Sequence, residues 1–164
     1  MKKYFLFVIF FLFVLFIESC ERPKIVSTTP TITFTKFSLK DTVDFNHLLR
    51  GTLKFEFVDG DGNIGFGTDS TANKTVFLEK YKIINSIPNR IEFNEGYLLN
   101  YRIPVFSTTG NRKVLSGEIV LRYLDETFPI NPNDTIMYKF YIYDRDMNKS
   151  NIDSTGYIIL KNYL

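Results

Sequence analysis

The sequence predicts an all-β protein, an antiparallel β-sandwich of seven strands over residues 31–164. Three observations lead to this prediction. Apolar and polar residues alternate in repeated short runs, which is the period of a half-buried strand. Turn-forming residues separate these runs, and no long segment carries the 3.6-residue period of a helix. Ala72 is the only alanine, whereas Phe occurs 17 times and Tyr 10 times, and this composition favours strands over helices.

The first 19 residues have the pattern of an export signal. Met1 is followed by two lysines and then by fourteen consecutive apolar residues at positions 4–17. A membrane-spanning helix needs about 20 apolar residues. The shorter run is typical of the apolar region of a signal peptide, which follows a positively charged start. We therefore expect residues 1–19 to be a signal peptide that is removed.

Ile17-Glu18-Ser19-Cys20 resembles the lipobox of bacterial lipoproteins, with an aliphatic residue at −3, a small residue at −1 and cysteine at +1. Glu18 departs from the small or apolar residue that is usual at −2. The resemblance implies cleavage before Cys20, a diacylglyceryl thioether on its thiol and acylation of the new amino group. Cys20 is the only cysteine, which excludes an intrachain disulfide and a thiolate metal cage. The membrane is thus the expected partner of Cys20.

Residues 20–30 are expected to form a lipidated tether, because they are polar and interrupted by proline. Loss of the signal peptide removes two lysines and one glutamate, so the formal charge falls from +2 to +1. A nearly neutral domain lacks the positive field that nucleic-acid binding requires. Nucleic acid is therefore excluded as the expected partner.

Seven alternating runs define the expected strands. The first run changes phase between Phe34 and Phe37, and a slip of one residue predicts a β-bulge or a strand that changes sheets. The second run alternates through Leu53, Phe55 and Phe57 and then stops at a loop rich in Asp and Gly. The other five runs lie within residues 77–83, 97–105, 119–123, 136–142 and 157–159.

Two acidic loops place oxygen-bearing side chains at alternate positions: Asp59, Asp61 and Asn63 in the first loop, and Asp144, Asp146 and Asn148 in the second. This spacing is typical of the start of a calcium loop, although Ile64 and Ser70 stand where an EF-hand needs glycine and an acid. If both loops lie at one pole of the sandwich, they form a joint Ca²⁺ site. The alternative is that these residues only make tight turns, and turn chemistry accounts for each of them.

No catalytic motif is recognisable in the chain. His47 is the only histidine, which excludes a metal centre built on several imidazoles, and no nucleophile elbow is near it. Gly60-x-Gly62-x-x-Gly65 has the dinucleotide-binding spacing, but no helix is expected after it. No two acids lie in an apolar setting that is expected to raise a pKa. The protein is therefore expected not to be an enzyme.

The alternative to a non-catalytic protein is an envelope hydrolase or a carbohydrate-processing accessory that uses loop carboxylates. Glycoside hydrolysis needs two carboxylates about 5–9 Å apart. Such a pair is formed in space, so the sequence leaves this alternative open.

Tyr141 and Tyr143 share the strand face opposite Tyr138, Phe140 and Ile142. One face of a sandwich strand packs on the core and the other meets solvent. The two tyrosines are therefore expected to point outward, where they offer a patch for a sugar or a partner protein. The alternative is that they stabilise the sheet by cross-strand aromatic packing.

Three segments near the end of the chain form a recognisable pattern: Tyr138-x-Phe140-x-Ile142-x-Asp144, the turn at Asn148-Lys149-Ser150, and Tyr157-Ile158-Ile159-Leu160. Together they resemble the last hairpin of bacterial fibronectin-III-like or other immunoglobulin-like domains. With the lipobox and the segment 55–65, the chain resembles small lipoproteins of unknown function from Bacteroidota. The resemblance implies an immunoglobulin-like sandwich that is lipid-anchored to the outer membrane. We expect this sandwich to work by binding or assembly in the cell envelope, with an unknown envelope protein or glycan as its partner. The resemblance implies no activity. Glu21 and Arg22 do not form the acid-rich run associated with surface export, which favours the periplasmic side over the cell surface.

Overall fold

A computed structural model of the chain describes residues 26–41, 48–66, 75–92, 99–105, 114–127 and 131–163. Within these ranges the protein is built from strands in two antiparallel sheets, and one apolar core takes residues from both of them. The predicted all-β class is therefore confirmed. No helix in this part of the chain is long and apolar enough to span a membrane. The predicted signal peptide and Cys20 lie outside the described residues.

The strand segments of the described residues are β1 (Thr31–Asp41), β2 (Leu48–Asp59), β3 (Val76–Ile84), β4 (Ile87–Arg90), β5 (Asn100–Tyr101), β6 (Leu115–Arg122), β7 (Glu126–Thr127), β8 (Thr135–Ile142), β9 (Asp153–Ser154) and β10 (Ile158–Ile159). A 3₁₀ turn at Leu160–Tyr163 follows. The first sheet has the order β1-β2-β6, and β7 also pairs with β2. The second sheet has the order β10-β8-β3-β4, with β5 beside β3 and β9 beside β8.

The number of strand segments differs from the seven predicted. The five longest segments match predicted runs, and β4, β7 and β9 are short additions of two to four residues. Residues 99–105, the described part of the predicted run at 97–105, contain only the two-residue strand β5. Pro104, which has no N–H to donate, makes only an isolated bridge with Phe66. Alternation shows that a segment is half-buried, but it does not show whether a neighbouring strand is present to pair with it.

The bulge predicted in β1 is observed, because the pairing of β1 with β2 shifts between Phe34 and Lys36. The outer edge of β1 is partly closed by side chains. Asn151 accepts a hydrogen bond from the Ile32 amide at 2.8 Å and donates one to its carbonyl at 2.9 Å. Asp153 accepts one from the Phe34 amide at 2.6 Å. These side chains take the place of a further strand and satisfy part of an exposed sheet edge.

Aromatic residues from the two sheets meet in the core. The ring centroids of Phe55 in β2 and Phe140 in β8 are 4.9 Å apart, and those of Phe37 and Tyr138 are 5.5 Å apart. The Tyr138 hydroxyl donates a hydrogen bond to Glu126 at 3.1 Å, and burial raises the pKa of this tyrosine well above its ordinary value. Phe55 and Phe140 are each fully buried, so their contact fixes one sheet against the other.

Replacing Phe140 by alanine tests this contact. We expect Phe140→Ala to lower the free energy of unfolding by about 3–5 kcal/mol, because it removes a buried ring and leaves a cavity. Urea unfolding measures the change. Val120→Ala, on the outward face of β6 and 36% exposed, is the control and should cost less than about 1 kcal/mol. Equal losses for both variants would contradict the assignment of Phe140 to the core.

Candidate functional site

The two acidic loops meet because of where β2 and β8 end. Asp59 lies four residues after Phe55, and Asp144 lies four residues after Phe140. Side chains of a strand alternate between its faces, so an even offset points both aspartates inward, as it does the phenylalanines. Both are fully buried, with 0% of each residue exposed. The structure therefore brings the two loops together at one pole of the sandwich.

Hydrogen bonds join the two loops directly. The Asn63 side-chain amide donates to Asp61 at 3.2 Å within its own loop and to Asp146 at 2.9 Å across to the second loop. The backbone carbonyl of Asn63 accepts from the amide and the guanidinium of Arg145, at 3.2 and 2.9 Å. We call the set Asp59, Asp61, Asn63, Asp144, Asp146 and Asn148 the acidic pole.

Three carboxylates are crowded at the acidic pole. Asp59, Asp61 and Asp144 each place one oxygen within 4.8 Å of the other two. The ion pairs of the described residues involve none of these three aspartates, and Arg145 donates to a carbonyl instead. Like charges at this separation repel each other strongly when they are buried. The acidic pole is therefore not neutralised by a basic side chain in the part of the chain that the structure describes.

Turn chemistry explains the second loop better than the first. Asp144 accepts hydrogen bonds from the backbone amide of Asn148 at 2.7 Å and from its side chain at 2.8 Å, as an aspartate at a tight turn does. In the first loop Asp59 accepts from the Asn63 amide at 2.8 Å through one oxygen only. The turn interpretation therefore accounts for Asp144 and Asn148 and leaves acceptor oxygens of the first loop unexplained.

Three side-chain oxygens of the first loop have no donor among the described residues. They are Oδ1 of Asp59, of Asp61 and of Asn63, and all three atoms are buried from solvent. A buried acceptor without a partner costs about 1–3 kcal/mol, and more when it carries charge. Within the described structure, the acidic pole is therefore the place where binding of a positively charged ligand would stabilise the fold most.

The electrostatics of Asp59 depend on its burial. Burial, and then the neighbouring charge of Asp61, raises the pKa of Asp59 to about 6. The sequence predicts no two acids in an apolar setting, and it places Asp59 in a loop. Asp59 is instead the last residue of β2, and the alternation of the strand turns its side chain inward.

The predicted tether runs across this pole. The Gly60 amide donates to the Ser27 carbonyl at 2.8 Å. A Cβ at position 60 would lie 2.4 Å from that oxygen and 2.5 Å from the carbonyl oxygen of Val26, so only glycine permits this approach. Residues 26 and 27 of the predicted tether therefore lie beside the acidic pole.

A second candidate site lies on the outward face of the second sheet. Tyr141 and Tyr143 lie on the expected face, and both pack against Phe77, with ring centroids 5.3 and 5.5 Å from that ring. Cross-strand packing, the alternative raised from the sequence, is therefore observed. Tyr141 is half-buried between Phe77 and the Lys149 ammonium, which lies 3.7 Å from the centre of its ring.

A groove of about 480 Å³ follows this face. Its lining, which we call the aromatic groove, consists of Glu79, Tyr81, Lys139, Tyr141, Lys149, Ile152, Asp153 and Ser154. Sequence reasoning found only Tyr141 of this set. Glu79 faces Lys139 and Phe77 faces Tyr141 through the register of β3 with β8. No pattern in the sequence indicates this pairing of β3 with β8.

The remaining sequence candidates and the comparisons add no further site. His47 lies outside the described residues. Phe66, which directly follows the last glycine of the rejected dinucleotide motif, forms an isolated bridge with Pro104. Comparison of the chain with protein-family models, with curated proteins and with solved structures finds no match. The functional argument therefore depends on the residues of the two sites.

The raised pKa of Asp59 predicts how stability depends on pH without divalent cations. The ordinary pKa of an aspartate here is 3.8, and folding raises it to about 6, so the folded chain holds this proton more tightly than the unfolded chain. The contribution to stability is full below about pH 4 and is lost as the pH rises through about 6. We expect the free energy of unfolding, measured by urea in metal-free buffer, to fall across this window.

The control for this prediction is Asp59→Asn, which carries no proton to lose. This variant should flatten the dependence between pH 4 and 6, although Asp61 and Asp144 still face position 59. An unchanged slope in the variant would show that another group causes the dependence.

Proposed function

We propose that this chain is a lipid-anchored protein of the cell envelope whose β-sandwich binds an acidic glycan, without catalysis, in the aromatic groove. An acidic ligand is favoured by the surroundings of the two lysines of the groove, which lie near aromatic rings. Lys139 lies 5.0 Å from the ring centre of Tyr81, and Lys149 lies 3.7 Å from that of Tyr141. Neither lysine is in an ion pair with a described carboxylate.

The acids of the groove are already engaged by the protein. Glu79 accepts a hydrogen bond from the Tyr81 hydroxyl at 2.7 Å and lies 3.5 Å from Arg90. Asp153 accepts from the amides of Phe34 at 2.6 Å and Ser154 at 2.7 Å. Among the charged groups of the groove, those that remain for a ligand are therefore the lysine ammonium groups, which donate to carboxylate or phosphate oxygens. This distribution favours an anion.

The size and place of the groove favour a glycan over a protein surface. Small-ligand sites have volumes of about 300–1,000 Å³, and this groove falls in that range. A stable protein interface needs about 800 Å² from each partner. Tyrosine rings also offer apolar surface to a sugar, and a lipid anchor at Cys20 would hold the groove where envelope glycans are found.

Catalysis by loop carboxylates is less well supported than binding. The carboxylate with the raised pKa, Asp59, is fully buried and is out of reach of a polymeric substrate. The two groove acids are held by the hydrogen bonds described above. The immunoglobulin-like type of the sandwich, the outer membrane and the periplasmic side belong to the same proposal, and they are supported by the lipobox and by the hairpin resemblance.

The ligand class is tested by binding of an oligosaccharide of uronic acid to the full chain purified in detergent. A neutral oligosaccharide of the same length and linkage is the reference, and it should bind more weakly. Lys139→Met and Lys149→Met should each weaken binding of the acidic sugar by roughly tenfold to a hundredfold, the range for a hydrogen bond to a charged group. Calorimetry or fluorescence titration measures the affinity.

Lys40→Met is the matched control for these variants. Lys40 is exposed on β1 of the other sheet and should not change binding. Equal affinity for the acidic and the neutral sugar, or a loss of affinity in Lys40→Met as large as in the groove variants, would contradict an anionic ligand in this groove.

The anchor is tested by replacing the cysteine. Cys20→Ser should abolish processing and lipid attachment, so that the chain keeps residues 1–19 and no longer incorporates a labelled fatty acid. Mass spectrometry of the wild-type N-terminal peptide should find an acylated residue 20 at its start. Glu18→Ala, which changes the neighbouring position but not the acylated one, should be processed normally. An unmodified Cys20 in the wild-type protein would rule out lipidation.

A further inference from the structure

We propose that the acidic pole is a Ca²⁺ site that ties the two sheets together. The first argument is the crowding of charge. Three carboxylates, from Asp59, Asp61 and Asp144, converge on one point within the sandwich, and two of these residues are fully buried. Buried carboxylates without a basic partner are stable only when they are protonated or when they bind a cation.

The second argument is independent of charge. Oδ1 of Asp59, Asp61 and Asn63 are buried acceptors without a donor among the described residues. Asp59 is 0% exposed, so its free oxygen is aimed into the pole and not at solvent. The Asn63 side chain donates through its nitrogen to Asp61 and Asp146, and its buried oxygen has no donor among the described residues. These atoms are acceptors that need a donor or a metal.

The chemistry of the donor set points to calcium. All of the candidate ligand atoms are oxygens, which hard cations prefer. Ligands on opposite sides of one Ca²⁺ ion are ~4.6–5.2 Å apart, since each Ca–O distance is about 2.3–2.6 Å. The three carboxylate oxygens lie within 4.8 Å of one another, so they fit around one ion of this size. Mg²⁺ requires shorter distances and keeps several waters, which a buried pole accommodates less well.

A bound ion here would have a mechanical role. Asp59 is the last residue of β2 in the first sheet and Asp61 follows it, whereas Asp144 and Asp146 follow β8 of the second sheet. The ion would therefore bridge loops of both sheets, beside the contact of Gly60 with Ser27. A pull on the proposed lipid anchor at Cys20 would pass along the chain to this contact. This inference does not depend on the ligand of the aromatic groove.

Thermal unfolding and calorimetry of the full chain test the site. We expect Ca²⁺ to bind in a ratio of one ion per chain and to raise Tm at millimolar concentration, the range of extracellular calcium modules. Mg²⁺ at the same concentration should raise Tm less. A Tm that is identical in Ca²⁺ and in a chelator, together with no binding heat, would overturn the proposal.

Isosteric variants separate binding from folding. In chelator, Asp61→Asn should melt at or above the wild-type Tm, because it removes one of the repelling charges. In Ca²⁺ it should lose most of the Tm increase and at least about tenfold in affinity, since ligand charge sets the affinity of such sites. If Asp61 had only a structural role, Asp61→Asn would lower Tm in both buffers. Asp146→Asn, at an exposed position of the second loop, should weaken binding without a change of fold.

Glu56→Gln is the matched control. Glu56 is an exposed acid of β2, and it points to the face opposite Asp59 because the two residues are an odd number of positions apart. This variant should keep the full Ca²⁺ response. If Asp61→Asn and Asp146→Asn also kept the full response, the ion would bind elsewhere and the acidic pole would be excluded as its site.

Discussion

The packing of Phe55 against Phe140 is the contact on which the rest of the domain depends. These two rings, 4.9 Å apart, belong to the central strands of the two sheets. Their contact sets the position of β2 relative to β8. β2 continues for four residues after Phe55 and ends at Asp59, whereas β8 ends at Ile142 and Asp144 lies two residues beyond it. Both aspartates lie four residues after their phenylalanine, so each points to the same side as that phenylalanine and is buried with it.

This arrangement places an energetic cost at the pole. A sandwich normally ends in loops whose polar groups reach solvent, whereas here carboxylates are turned inward beside each other. The raised pKa of Asp59 and the buried acceptor oxygens of the first loop have this one cause. Burial raises the free-energy cost of the charged carboxylates, and it also excludes water that would compete for them. A cation therefore interacts more strongly with these carboxylates than it would with exposed ones.

The two candidate sites are neighbours along the chain. Tyr143 and Lys149 form an isolated bridge that closes the second acidic loop, and Lys149 also lies on the ring of Tyr141 in the aromatic groove. The groove therefore begins where the acidic pole ends. The sequence identified both acidic loops and the outward face of Tyr141 and Tyr143, but it missed Glu79, Tyr81 and Lys139 of the groove. Those residues join the groove only through the pairing of β3 with β8.

The sequence by itself determined the all-β class, the five long strands and the bulge of β1, because alternation and its slip are local properties of the chain. It also determined which residues of β8 face the core. The tertiary structure decided which strands are neighbours, which short segments find a partner, and that two acidic loops separated by some eighty residues meet. These outcomes depend on contacts between distant parts of the chain. A periodic pattern in one strand does not show which other strand will pair with it.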